Sequence, residues 1–314
     1  MKKDQKSVDE SLALGGVGQD SGQKMSELIE GFLDYARYEL NFSPNTVIKY
    51  RESLKSFIRH TGDKEVGQLE VRDFVILKKK LMDNGIGEAY ISGLVFAVRS
   101  LLNYCRNFLN IHTLDPKQIR PPKRFKREVI FLTAEEIERF IDAINTRKIT
   151  SLRFRAIVEV LLGTGMRISE VLSLKLKMIN WERREAKIVG KGNKERTVFF
   201  TKRSLEWMRK YIERRSDGFE YVFVTNGRIP RKLGTGDIWR YFGAARKRAK
   251  IEKKVTPHIL RHTVATNLVF NGCPIVHVKE ILGHEKLDTT CKYYLGVDKE
   301  QAKKAHRDYL NFVH

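Results

Sequence analysis

The sequence predicts a mainly α-helical protein of two domains with one small antiparallel sheet. Three observations predict it. Apolar residues recur at helical spacing along most of the chain from residue 25 onward, and the period drops to two only between residues 186 and 200. A proline-bearing basic run at residues 112–130 separates two such helical stretches, each long enough to bury its own core. The 314 residues carry a formal net charge of +22 while 41% of them are apolar. A chain of that composition folds, and its charge calls for a polyanionic partner, nucleic acid ahead of a membrane surface.

Several classes are excluded at once. No apolar run approaches membrane-spanning length. Asp9 and Glu10 interrupt the start, and no apolar core of a signal peptide follows. The three cysteines, Cys105, Cys273 and Cys291, are odd in number and have no CxxC spacing, which predicts buried thiols in a reducing, cytoplasmic setting.

Residues 1–24, rich in Ser, Gly, Gln and Asp, read as a flexible extension. A four-helix domain follows at residues 25–111. Leu28, Phe32, Tyr35 and Leu40 form the first stripe. Ser43-Pro44 then starts a helix whose inward face is Val47, Tyr50, Leu54, Phe57 and Ile58, and which ends at Gly62. A third helix spans residues 71–82 and stops at Asn84-Gly85. The fourth, residues 88–109, carries Ile91, Leu94, Val98, Leu101, Leu102 and Cys105. Basic residues among these stripes, Lys49, Arg51, Lys55, Arg59, Lys78, Lys79, Lys80, Arg99 and Arg106 among them, together with the charge of the whole chain suit one jaw of a two-domain DNA clamp.

Residues 112–130 read as the linker. Pro116, Pro121 and Pro122 keep it extended, and Lys123, Arg124, Lys126 and Arg127 suit a strap across a phosphate backbone. The second domain, residues 131–314, opens with the capping box Thr133-Ala134-Glu135-Glu136. Helices are expected at residues 134–145, 152–163 and 167–174. Two paired strands at 186–189 and 196–200 follow, joined by Gly190-Lys191-Gly192-Asn193-Lys194-Glu195. Helices resume at 202–215 and 236–250 and continue to a terminal helix at 298–313. Ala302, Ala305, Tyr309, Phe312 and Val313 lie near one stripe of that last helix.

The chemistry concentrates in the last sixty residues. Thr256 caps a helix that has Pro257 at its first position, and His258, Arg261 and His262 then share a face. A helix start with added cations attracts a phosphate. A zinc pair at His258 and His262 is disfavoured, because Ile259 stands where the metalloprotease motif has Glu and Arg261 would set a fixed cation beside the metal. Arg167 follows the broken turn Gly163-Thr164-Gly165, which lacks the Lys-Ser/Thr of a P-loop. Lys191 sits between glycines at a turn tip, open to close approach by a ligand.

Arg167 with Ile168-Ser169-Glu170, the Gly190–Arg196 turn, His258-x-x-Arg261-His262, Leu282-Gly283-His284 and Tyr293 occur in that order. The set resembles the tyrosine recombinase (integrase) family, in its Xer-like branch, from about residue 25 to the C-terminus. The resemblance implies an N-terminal core-binding domain of SAM-like four-helix type and a mixed α+β catalytic domain. It implies Arg167 and Arg261 as phosphate clamps, Lys191 as general acid, His258 as base, His284 as a second phosphate donor and Tyr293 as nucleophile. Glu170 and His262 would be supporting residues. Tyr294 competes with Tyr293, but neighbouring helical residues point about 100° apart, so only one reaches the phosphate. The family's spacing from the Leu-Gly-His histidine selects Tyr293.

The implied activity is site-specific recombination of duplex DNA through a covalent 3′-phosphotyrosine, needing neither ATP nor metal, with four protomers on two duplexes and the terminal helix docked on a neighbour. It implies a cytoplasmic, nucleoid-associated enzyme. A type IB topoisomerase shares the chemistry, and a non-catalytic DNA-binding regulator shares the charge.

Overall fold

The computed structural model describes residues 22–123, 129–190 and 195–284. The expectations for the extension before residue 22, the terminal helix at 298–313, and Arg124, Lys126, Arg127, Lys191, Cys291, Tyr293 and Tyr294 lie outside the described residues. Contacts divide the chain into two compact units, Met1–Lys126 and Arg127–His314.

The first unit is built from α1 (Met25–Tyr38), α2 (Pro44–Thr61), α3 (Val71–Asp83) and α4 (Glu88–Asn107). The inward face of α1 is Met25, Leu28, Ile29, Phe32, Leu33 and Ala36, a stripe at helical spacing. Leu40, expected on that stripe, lies beyond the helix end and is exposed. The Ser43 hydroxyl accepts from the Thr46 N–H at 3.2 Å and starts α2. The central helix is α4, whose Ile91, Leu94, Val98, Leu101, Leu102 and Cys105 are all buried. Burial pushes the Cys105 thiol up to about 12, so this thiol packs and does not react.

The first half of the expected linker belongs to this core. Asp115 accepts from the Lys117 N–H at 2.9 Å and starts the 3-10 turn Pro116–Gln118, after which Ile119 is buried in the same cluster. Apolar burial at Ile119 outweighs the extended tendency of the prolines, and Lys123 is exposed beyond it.

The second unit contains α5 (Ala134–Asp142), α6 (Ile149–Thr164), α7 (Ile168–Val171), α8 (Lys202–Glu213), α9 (Trp239–Arg248), α10 (Pro257–Phe270) and α11 (Ile275–Leu282). Its sheet is antiparallel in the order β1 (Ile179–Asn180), β2 (Glu185–Val189), β3 (Glu195–Phe199). The two-residue β1 is too short to leave a periodic trace in the sequence. Helix α6 is buried over most of its length, with Arg153, Arg155 and Glu159 buried among its apolar residues, and it packs against α8 and α10. Its buried Glu159 is paired with Arg155 at 2.9 Å and with Arg203 at 2.9 Å.

Helix α7 is one turn long where residues 167–174 were expected. The chain leaves the helix because its main chain pairs elsewhere: the Leu174 carbonyl accepts from Val222 N–H at 2.8 Å, and Leu176 N–H donates to Glu220 O at 2.9 Å. Among the described residues no helix is long and apolar enough to cross a membrane.

Candidate active site

The site is assembled where α6 ends, α7 and α10 begin and α11 stops. Thr256 accepts from the Ile259 N–H at 3.2 Å, and Pro257 opens α10, as the sequence predicts. The rings of His258 and His262 lie 4.1 Å apart on one face of the helix. Among the described residues no set of three or more His, Cys, Asp or Glu side chains gathers to hold a metal. Arg261 does not stand open at the helix start. It is 3% exposed and reaches inward, donating from Nη1 to Gly165 O at 2.8 Å and from Nη2 to Leu282 O at 2.6 Å.

Gly165 ends α6 in the left-handed region, at φ +64°. A Cβ there would lie 2.7 Å from Leu282 Cδ2, so the turn needs glycine both for its backbone angle and for close packing. Two residues on, Arg167 is the N-cap of α7. Its N–H and Nη1 both donate to Glu170, at 2.8 and 2.9 Å, and its Nη2 donates to Gly283 O at 3.0 Å.

The last carbonyls of α11 lack partners within the helix and form its negative end. Three guanidiniums occupy them in succession. Arg196 Nη1 donates to Ile281 O at 2.7 Å, Arg261 Nη2 to Leu282 O and Arg167 Nη2 to Gly283 O. Arg196 Nη2 also donates to Glu170 at 3.0 Å, so one buried carboxylate joins two arginines. Burial alone would raise the Glu170 pKa. The Arg167 N–H and the Arg196 and Arg167 guanidiniums outweigh it and hold the carboxyl below its ordinary range.

His284 follows this clasped turn, 8% exposed, with its N–H on Lys279 O at 3.0 Å. Burial, and then the charges of Arg261, Arg167, Arg196 and His262, push its pKa down to about 4. Burial and the charges of Arg261 and Arg167 also lower His258. Both imidazoles are therefore neutral near pH 7, and the positive charge of the site comes from its arginines.

Of the residues singled out in the sequence, the structure brings Arg167, His258, Arg261 and His284 together. Arg196 and Gly283 were quoted there without a role, and Glu170 only as support. A signal for Arg196 was present: strand alternation puts it on the face of Val198, opposite Ile188, and an arginine on a buried face needs buried partners.

The profile of the Phage integrase family matches residues 130–301. The chain is 31% identical over 300 residues to the tyrosine recombinase XerC of Leptospira interrogans, covering 91% of this chain and 94% of that protein. The fold is similar to that of the Tn1549 transposon integrase in complex with transposon right end DNA, with TM-score 0.76, 17% identity and coverage of 92% of this chain and 100% of that one. It is also similar to a lambda integrase tetramer bound to a Holliday junction, with TM-score 0.70, 18% identity and coverage of 90% and 85%. With more than half of its length inside the family profile and a full-length relative above 30% identity, the chain belongs to the phage integrase family and is an Xer-like, site-specific tyrosine recombinase.

Proposed function

We propose that Tyr293 attacks a phosphodiester of duplex DNA and that Arg167, Arg261, His258, His284 and Lys191 carry the transfer. The phenol oxygen forms a bond to phosphorus while the bond to the 5′ oxygen breaks. The phenol proton passes to His258, and Lys191 gives a proton to the leaving 5′ oxygen. A 5′ hydroxyl of the partner strand then reverses both steps, so the phosphotyrosine conserves the bond and no nucleotide is consumed. A phenol has an ordinary pKa near 10 and needs a base. The lowered pKa of His258 keeps that base unprotonated at neutral pH.

One observation supports this reading most: two guanidiniums and a neutral imidazole meet at the C-terminal turn of α11, held before any substrate arrives. Donors fixed in advance stabilise the charge that develops on the non-bridging phosphate oxygens, by about 3–4 kcal/mol for one well-aimed donor. Lys123, Arg124, Lys126 and Arg127 would bind the phosphate backbone without reading sequence. Assembly into a tetramer on DNA through the helix at 298–313, in a cytoplasmic, nucleoid-associated setting, completes the proposal. The DNA-bound and tetrameric integrases of the same fold are consistent with it.

Replacing Lys191 tests the acid step. Lys191→Ala slows cleavage by about 100-fold or more, and a substrate with sulfur in place of the 5′ bridging oxygen, which leaves without a proton, regains most of that rate. Equal loss on both substrates would make Lys191 a phosphate binder. Steady relaxation of supercoiled plasmid without strand exchange would favour the topoisomerase reading.

A further inference from the structure

Arg196 lies outside the set of residues assigned to the reaction, yet it touches the same framework as they do. From the start of β3 its side chain crosses to the end of α11, where it is 14% exposed. One arm of the fork is on Glu170 and the other on Ile281 O. The stem presses on Gly283: a Cβ at that glycine would lie 2.5 Å from Arg196 Nε and 2.7 Å from its Cδ. Arginine at 196, held in this position, therefore requires glycine at 283.

The arrangement is poorly explained as a device for stability. A buried ion pair roughly breaks even against apolar packing of the same volume, because its charges must be desolvated. Here the desolvation is also incompletely repaid, since Arg196 Nε is buried and has no hydrogen-bond acceptor among the described residues. What the fork does achieve is geometric. Glu170 receives Arg196 on Oε2 and Arg167 on Oε1, so the carboxylate fixes one guanidinium by means of the other. Arg167 in turn holds Gly283 O, and Arg196 holds Ile281 O, on either side of the carbonyl held by Arg261.

We propose that Arg196 is a positioning residue of the active site: by spanning the Glu170 carboxylate and the Ile281 carbonyl it sets the places of Arg167 and of the turn that carries His284. The consequence for chemistry rests on the catalytic reading given above, whereas the positioning itself is a property of the protein alone. Lysine cannot replace it, because a single ammonium on a flexible stem does not present two parallel donors to two acceptors.

Two measurements on the full-length Arg196→Lys protein separate these levels. The first uses a nicked duplex selected from random sequence by the wild-type protein. Affinity is expected to be unchanged, while covalent attachment slows by about 100-fold, the loss that a displacement of roughly 1 Å produces. On the same duplex with a methyl group in place of one non-bridging oxygen, that loss shrinks together with the loss caused by Arg167→Ala, since the charge that Arg167 serves is gone. Attachment at the wild-type rate, or an equal loss on both phosphates, overturns the proposal.

The second measurement needs no DNA. In wild-type protein the His284 ring titrates well below its ordinary 6.5. In Arg196→Lys, which keeps the charge but loses the fork, the ring is expected to titrate higher as water enters the loosened turn. An unmoved titration overturns the proposal. If wild-type protein attaches to no selected DNA, the recombinase chemistry fails while the ring titration still decides Arg196. Should Arg196→Lys fail to fold, Glu170→Gln cuts the shared tether and carries the same expectation for covalent attachment on the two phosphates.

Discussion

At the scale of single residues, the site is a set of charges whose protonation states follow from where they are buried. Glu170 is ionised because two guanidiniums and an N–H surround it, and His284 is neutral because burial and the guanidiniums of Arg261, Arg167 and Arg196 exclude a further cation. The consequence for stability has a definite sign. Between the ordinary value of 6.5 and about 4, the unfolded chain binds a proton that native His284 refuses. Stability is therefore complete above that window, falls as the pH is lowered through it, and levels off below. Allowing for solvent screening at a partly open site, the loss is about 1–2 kcal/mol. His284→Asn should remove that part of the slope in thermal unfolding followed across the window, and an unchanged slope would assign the effect elsewhere. These states were not readable in the sequence. The motif His258-x-x-Arg261-His262 showed which groups share a helix face, but Arg261 turning inward to Gly165 and Leu282 depends on two turns distant in sequence.

At the scale of elements, the decisive piece is the C-terminus of α11, where one left-handed glycine and three arginines fix the turn before His284. Gly283→Ala should cost about 1–2 kcal/mol from the left-handed backbone alone. It should also slow covalent attachment, because the new methyl would displace Arg196. Urea unfolding and single-turnover cleavage check the two parts, and normal cleavage with lowered stability would separate the turn from the chemistry. Elements with their own punctuation were legible. Ser43-Pro44, Thr133 with Glu136, and Thr256-Pro257 each start a helix, and each cap hydrogen bond is present. The hairpin was legible from its period of two, within one residue at each outer end. Elements decided by tertiary pairing were not: α7 is cut short by the strand-like pairing of Leu174 with Val222, and Ile119 is drawn into the first core in spite of the prolines around it.

At the scale of the whole molecule, two units with separate cores carry a net charge of +22, so both present cations to a polyanion. A break in periodicity with prolines at 112–130 suggested two domains, and contacts divide the chain at 126/127, whereas the assembly of protomers leaves little trace in one sequence. Truncation after Gly296 is expected to leave a folded protein that binds DNA and does not form a tetramer on two sites. Circular dichroism, gel shift and light scattering check this, and tetramers of the truncated chain would remove the terminal helix from the interface. The central claim is that Tyr293 becomes joined to DNA, and the most direct measurement is to map the covalent adduct on a nicked duplex by peptide mass spectrometry. The account predicts a DNA-linked peptide modified at Tyr293, none with Tyr293→Phe despite normal binding, and an undiminished adduct with Tyr294→Phe. An adduct on Tyr294, or one that survives Tyr293→Phe, would contradict it.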